Sequence, residues 1–179
     1  VNELYEKGVG DYFSRFYDTY SDEKFIGNIN PNLQIENRSL DRLAKTFGRE
    51  LKIIFILRNP VYRAYSHYQM SKSRGYEDLS FKAAIEMEKL RINNPKFFPD
   101  YKSKELGHFE KNHFGYIGRS SYLATIKKLY QLFPKENIKV ILFEDFISKQ
   151  KIVIADILNF LNIPPFSMFE YNVKSNFAT

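Results

Sequence analysis

Four residues, Arg58, Asn59, Pro60 and Ser66, have types and a spacing that suit the binding of a phosphate group. A guanidinium can donate two parallel hydrogen bonds to phosphate oxygens, and a serine hydroxyl can donate another. Asn59 can cap a helix, and Pro60 is favoured at the first helical position because its missing N–H would be unpaired there. A helix N-terminus adds a partial positive charge. We therefore expect an anion to bind where these groups converge.

A buried strand and a helix are expected to position these groups. Residues 52–57 form a β-branched and almost wholly apolar run, which is typical of a parallel strand buried on both faces. After Asn59 the apolar residues recur with helical spacing, at Val61, Ala64, Tyr65 and Tyr68. Arg58 would then stand at the carboxyl end of the strand, and Ser66 would lie about two turns into the helix. Open α/β sheets bind ligands at such strand ends.

This segment resembles the 3′-phosphate-binding segment of the sulfotransferases, whose sulfuryl donor is 3′-phosphoadenosine 5′-phosphosulfate (PAPS). In that family a buried strand ends in Arg, followed by Asn or Asp and then Pro, and a Ser comes eight residues after the Arg. Arg58, Asn59, Pro60 and Ser66 match this spacing, and residues 63–68 (RAYSHY) are similar to carbohydrate-type and bacterial members. The resemblance implies that Arg58 and Ser66 bind the 3′-phosphate of PAPS.

The second half of the chain also resembles this family. A helix over residues 122–133, a strand over 138–143 and a final helix over 153–161 follow one another in the family's order. The resemblance implies two further cofactor-binding residues, Tyr122 near the cofactor crevice and Phe143 near the adenine. For each of them a purely structural role is the alternative.

The groups that would transfer the sulfuryl unit are not visible in the sequence. The resemblance places the family's first strand, its loop with an essential Lys, and the Lys-Glu pair whose Glu often serves as base before Val1. No GxxxxGK[S/T] loop occurs in the chain. The catalytic residues are therefore unknown, and we expect missing residues rather than a degenerate protein. Between Gly27 and Pro31, Asn28 and Asn30 replace the acid and the hydroxyl of relatives.

Composition limits the class of protein and the kind of partner. The chain has 179 residues, of which 44% are apolar, and a net charge of +6, which favours anionic partners such as a nucleotide or an acidic glycan. The absence of cysteine excludes disulfides and thiolate metal sites. His108 and His113 lie five positions apart without Cys company, so we expect no metal. No stretch is long and apolar enough to indicate a transmembrane segment.

The alternation of strands and helices predicts an α/β fold with a central parallel sheet flanked by helices. The resemblance implies the three-layer, P-loop-nucleotide-hydrolase-like form of that fold, truncated at the N-terminus, and the length fits a single domain over residues 1–179. Apolar spacing predicts further elements, namely helices over 4–17, 40–47 and 78–91 and a short strand over 24–29. Periodicity disappears over residues 92–118, which we expect to form an irregular loop or lid.

The resemblance implies an enzyme, a PAPS-dependent sulfotransferase that acts on a hydroxyl or amine, with a carbohydrate as the favoured acceptor. Two other functions fit the residues: another P-loop-type nucleotide enzyme such as a kinase, and a basic anion- or glycan-binding module without turnover. A nucleic-acid partner is not expected, because the basic residues are scattered rather than striped. A cytoplasmic location is favoured, with the Golgi lumen as the alternative if an anchor precedes Val1. The sequence does not predict an oligomeric state.

Overall fold

The computed structural model describes residues 7–23, 25–33, 37–96 and 107–164. Its elements are α1 (Val9–Phe16), α2 (Asn37–Phe47), β1 (Ile53–Leu57), α3 (Pro60–Ser73), α4 (Phe81–Asn93), α5 (His108–Phe114), α6 (Leu123–Leu132), β2 (Ile138–Leu142), α7 (Phe143–Ser148) and α8 (Gln150–Phe160). Short 3₁₀ turns at Gly118–Ser120 and Lys135–Asn137 come before α6 and β2. None of the helices in these ranges has the length and apolar character needed to cross a membrane.

The two strands pair in parallel, from Ile53 opposite Ile138 to Leu57 opposite Leu142. One face of this sheet packs against α2 and α6, because apolar side chains of the strands and helices alternate toward each other. The buried residues of this cluster are Leu40, Leu129, Phe133 and Ile138. The strands predicted from the two apolar runs are therefore present, each ending one residue or less from the predicted limit.

The other face of the sheet lies against α8, where Lys139 forms a 2.7 Å ion pair with Asp156. The described elements thus form three layers, helix, sheet and helix, which confirms the predicted α/β class. Burial of β1 on both faces is wrong for the described part of the chain, because Ile54 and Ile56 are 37% and 49% exposed on this second face. An apolar run identifies a strand, but it does not specify which elements cover each face.

The helix ends near the proposed site follow local sequence rules. Asn59 caps α3, since its Oδ1 accepts hydrogen bonds from the N–H groups of Val61 at 3.0 Å and Tyr62 at 3.4 Å. Ser80 caps α4 in the same way, and Gly48 ends α2 with a φ of 72°, a conformation that glycine adopts without strain. The Asn59 cap agrees with the sequence prediction.

The buried face of α3 differs from the predicted one. Ala64 and Tyr68 are buried, but Val61 and Tyr65 are 69% and 46% exposed. Their places are taken by the polar residues His67 and Ser71, which are buried because each side chain hydrogen-bonds to a backbone carbonyl of the α5 segment. Apolar spacing alone could not reveal such partners.

The predicted loop over residues 92–118 contains two helical pieces in its described part. The helix α4 extends to Asn93, and α5 spans His108–Phe114. The sequence pattern missed α5 because a helix of two turns shows little periodicity. Residues 97–106 lie outside the described residues, so a lid stays a prediction. The tail after residue 164 and the start of the predicted helix over 4–17 also lie outside them, and residues 25–29 do not form the predicted strand.

The buried carboxylate of Glu77 links the segment between α3 and α4 to α4 and to the turn after α5. Glu77 accepts hydrogen bonds from Arg91 at 2.5 Å and 3.1 Å, from the Tyr116 hydroxyl at 2.7 Å and from the Leu79 N–H at 3.1 Å. Burial raises the pKa of Glu77, but these hydrogen bonds outweigh burial, so the pKa lies below its usual value. The charged form is therefore the one that stabilises the fold.

We predict that Glu77→Ala lowers the free energy of unfolding by about 3 kcal/mol, because it leaves Arg91 and Tyr116 without their partner. Urea unfolding followed by circular dichroism measures this loss. The matched control is Glu86→Ala on the exposed face of α4, which should change stability by less than about 0.5 kcal/mol. Equal effects of the two substitutions would contradict the prediction.

Candidate functional site

The backbone of Arg58 is held by the side chain of Tyr122. The Tyr122 hydroxyl donates a hydrogen bond to the Arg58 carbonyl at 3.0 Å and accepts one from the Arg58 N–H at 3.4 Å. The ring of Tyr122 meets Phe55 of β1 edge-on, with 6.1 Å between the ring centroids. Tyr122 stands directly before α6, so it joins the carboxyl end of β1 to the second half of the chain.

The guanidinium of Arg58 lies 5.1 Å from the ring centroid of Phe143, a cation–π contact. Phe143 is the first residue of α7 and directly follows β2, rather than being the last residue of the strand. Arg58 forms no ion pair with any residue that the structure describes. A ring, unlike a carboxylate, does not take up the N–H donors of the guanidinium in strong hydrogen bonds, so these donors are suited to an anionic ligand.

The turn after β1 is fixed by a second group from the C-terminal half. The Asn59 N–H donates to Glu144 Oε1 at 2.9 Å, while Asn59 Oδ1 accepts the first amides of α3. Pro60 has no N–H. The partial positive charge of the N-terminus of α3 therefore lies beside Arg58, but the first N–H groups of the helix are already taken by the cap.

Ser66 is exposed on α3, and its hydroxyl makes no hydrogen bond to the residues that the structure describes. It follows Asn59 by seven residues, so the two lie on the same side of the helix about 10 Å apart along its axis. The structure thus brings Arg58, Tyr122 and Phe143 into direct contact. It places Ser66 on the adjoining helix without a contact to these three.

A second guanidinium, that of Arg63, ties α3 to the turn that precedes Tyr122. Its Nε donates to Ser120 Oγ at 2.6 Å, and its Nη2 donates to the carbonyls of Gly115 at 3.2 Å and Tyr116 at 2.8 Å. All these acceptors are neutral. Burial lowers the pKa of Arg63 and the positive charge of Arg58 lowers it further, while Tyr122 and Glu88 act in the opposite direction. Arg58 and Arg63 therefore both contribute positive charge here, and the Glu88 carboxylate offsets part of that of Arg63.

His67 is a buried structural residue. Its Nε2 lies 2.8 Å from the Asn112 carbonyl, and its Nδ1 lies 3.2 Å from Arg63 Nη2. Burial lowers the pKa of His67 to about 3, and the charge of Arg63 contributes further. The neutral ring then donates from Nε2 to the carbonyl and accepts at Nδ1 from Arg63. Both nitrogens are engaged, so His67 does not suit the role of a general base.

Glu88 is a residue of this region that the sequence analysis missed. Its buried carboxylate accepts the N–H groups of Ile117 at 2.7 Å and Gly118 at 2.8 Å. These bonds fix the turn that leads to Ser120 and Tyr122. A signal was present in the sequence, because Glu88 follows the buried Ala84 by four residues and so falls on the apolar face of α4.

A cavity of about 350 Å³ lies at the opposite end of α3. It is lined by Gly75, Tyr76, Arg91, Asn94, Lys96, Phe109, Glu110 and Phe114. Because the 14 residues of α3 span about 21 Å, this cavity is separate from the residues around Arg58. Among the described residues no group of three or more His, Asp or Glu side chains could hold a metal ion.

Comparisons with known proteins identify the family of the chain. Residues 28–177 match the family model described as a sulfotransferase domain, and the chain belongs to that family. It is similar to the crystal structure of a sulfotransferase from Alicyclobacillus acidocaldarius, with 27% sequence identity, a TM-score of 0.74 and 92% of this chain covered. The chain spans 62% of the length of that structure's chain. No curated protein matches the sequence.

We predict that acid destabilises the protein partly through His67. The unfolded chain binds this proton near pH 6.5, whereas the folded state binds it only near pH 3. Between these values the unfolded state holds more protons, so stability falls as the pH falls. The loss at pH 5 amounts to about 2 kcal/mol.

Urea unfolding at pH 7 and pH 5 measures this loss in the wild type and in His67→Gln, which removes the titration. The difference between the two pH values should shrink by about 2 kcal/mol in the variant. His113, whose pKa burial lowers to about 4, supplies a parallel contribution that His67→Gln leaves in place. An unchanged pH dependence in the variant would disprove the role of His67.

Proposed function

We propose that the protein is a sulfotransferase that transfers a sulfuryl group from PAPS to a hydroxyl or amine of an acceptor, with a carbohydrate as the favoured acceptor. Membership of the sulfotransferase family supports sulfuryl transfer in general. The observation that carries the choice of donor is the Arg58 guanidinium. It stands at the end of β1 beside the Phe143 ring and forms no ion pair within the described residues.

Arg58 and Ser66 are the proposed anchor for the 3′-phosphate. The planar guanidinium can bind two phosphate oxygens at once, which a lysine could not do. Ser66 would donate its hydroxyl from the next helix. The hydrogen-bond acceptors of Arg63 are neutral. Its positive charge, offset in part by the nearby Glu88 carboxylate, contributes to the local affinity for a polyanionic nucleotide.

Phe143 is the proposed neighbour of the adenine. An aromatic ring offers the flat apolar surface on which a nucleobase stacks, and its contact with Arg58 places that surface next to the phosphate anchor. Tyr122 lies in the same place, but its hydroxyl is occupied by the Arg58 backbone. PAPS itself would supply the activated sulfuryl group, while these residues bind and orient it.

No catalytic role is assigned to the two titratable groups beside the anchor. His67 is neutral and has both ring nitrogens in hydrogen bonds. Glu144 accepts the Asn59 N–H and so serves the geometry of the turn. The contribution of the described residues to the reaction is therefore the binding and alignment of the donor, which is a large part of catalysis in such group transfers.

We predict that Arg58→Ala weakens the binding of adenosine 3′,5′-bisphosphate, the product of the donor, by about 10- to 100-fold, because charge-assisted hydrogen bonds to a phosphate are lost. Isothermal titration calorimetry of the full-length protein measures this loss. Arg49→Ala is the matched control, because this exposed arginine precedes β1 at the opposite end of the strand. Equal affinities of wild type and Arg58→Ala for the bisphosphate would refute the assignment of Arg58. Salt-sensitive binding of heparin without any binding of the nucleotide would favour a glycan-binding module.

We also predict a smaller effect of Ser66→Ala, about three- to tenfold in the same titration, since a single neutral hydroxyl donor is removed. Ser73→Ala at the end of the same helix is the control, because its hydroxyl is bonded locally to the Met70 carbonyl. If Ser66→Ala and Ser73→Ala bind the nucleotide equally well, Ser66 does not belong to the anchor.

A further inference from the structure

The Tyr122 hydroxyl occupies both polar groups of the Arg58 backbone. A phenol has one O–H donor, and here it points to the Arg58 carbonyl at 3.0 Å, while the oxygen also accepts the Arg58 N–H at 3.4 Å. The hydroxyl therefore has no further proton to offer to a nucleotide. A direct hydrogen bond to the donor would require this pair of bonds to break.

The contact between Tyr122 and Arg58 lies directly after the last paired residues of β1 and β2. The ladder between β1 and β2 ends with Leu57 opposite Leu142, and Arg58 is the next residue. Without a partner strand, the N–H and carbonyl of Arg58 need other partners, and the Tyr122 hydroxyl supplies both. The backbone angles of residue 58 set the direction in which its side chain leaves the sheet, so fixing the backbone restricts the guanidinium as well.

Three contacts fix the position of Tyr122 without any ligand, one to its ring and two to the turn that precedes it. Its ring packs edge-on against Phe55. The turn before it is fixed by Glu88, which accepts the Gly118 N–H at 2.8 Å, and by the Arg63 contact with Ser120 at 2.6 Å. The position of the Tyr122 hydroxyl is therefore fixed by the packing of its ring and by the hydrogen-bonded turn before it.

We propose that Tyr122 is a positioning residue for the phosphate anchor: its hydroxyl pre-orients Arg58 and raises the affinity for the 3′-phosphate without contacting the nucleotide. This inference rests on the proposed function of Arg58. The physical gain is preorganisation, because an arginine whose backbone is already fixed loses less conformational freedom when it binds. The effect must therefore be confined to ligands that carry the phosphate bound by Arg58.

The test compares two ligands in Tyr122→Phe, which removes the hydroxyl and keeps the ring that packs on Phe55. Adenosine 3′,5′-bisphosphate carries the 3′-phosphate and adenosine 5′-phosphate lacks it. Calorimetry on the full-length protein should show about a fivefold loss for the bisphosphate and less than about a twofold change for the monophosphate. Tyr130→Phe, on the exposed side of α6, should bind both ligands as the wild type does.

A double variant separates positioning from direct contact. If Tyr122 acts through Arg58, then Tyr122→Phe added to Arg58→Ala causes no further loss of bisphosphate affinity. Thermal unfolding of each variant sets a titration temperature at which it is fully folded, so a general loss of stability does not imitate the effect.

Four results would overturn the inference. An unchanged bisphosphate affinity in Tyr122→Phe, combined with a large loss in Arg58→Ala, removes the role of Tyr122 and leaves the proposed function intact. Equal losses for both ligands, or fully additive losses in the double variant, show that Tyr122 acts on the nucleotide by another route. An unchanged affinity in Arg58→Ala refutes the anchor itself and the positioning role with it.

Discussion

The candidate site depends on the way in which the end of β1 is tied to distant parts of the chain. Tyr122 reaches the Arg58 backbone across 64 positions, and Glu144 reaches the Asn59 N–H across 85. Without these ties, the backbone N–H and carbonyl groups at the end of the strand would hydrogen-bond to water, and the side chains there would not be held in one orientation. Because both ties come from the second half of the chain, the candidate site forms only after the two halves have folded together.

The helices beside this turn are organised by buried charges with specific partners. Glu88 is bonded to two backbone N–H groups, Arg63 to neutral oxygens and His67, and Glu77 to Arg91 and Tyr116. A buried charge is tolerated only where its hydrogen bonds are made, so each of these groups fixes the position of the backbone that it contacts. The turn at Gly118–Ser120 is held in this way from both α3 and α4.

The sequence alone predicted the structural features that depend only on residues close together in the chain. The two apolar runs and the Asn59 cap follow from local propensities, and the spacing from Arg58 to Ser66 indicated the family. It did not predict the burial of His67, because its partner, the Asn112 carbonyl, lies 45 positions away. The spacing of Glu88 from Ala84 was a signal for its burial, but its partner, the Ile117 N–H, lies 29 positions away and could not be predicted. Nor could it indicate that the Tyr122 hydroxyl is bonded to the Arg58 backbone, since that contact depends on tertiary packing.

The Asn59 cap has a consequence for the proposed binding of a nucleotide beside α3. Where an anion itself fills the first amides of a helix, its departure leaves those amides unpaired and the first turn can fray. Here the Asn59 side chain occupies the Val61 and Tyr62 amides, so the end of α3 does not depend on a bound anion. Under the proposed function, spent donor would then leave, and fresh donor would enter, with no refolding of the helix.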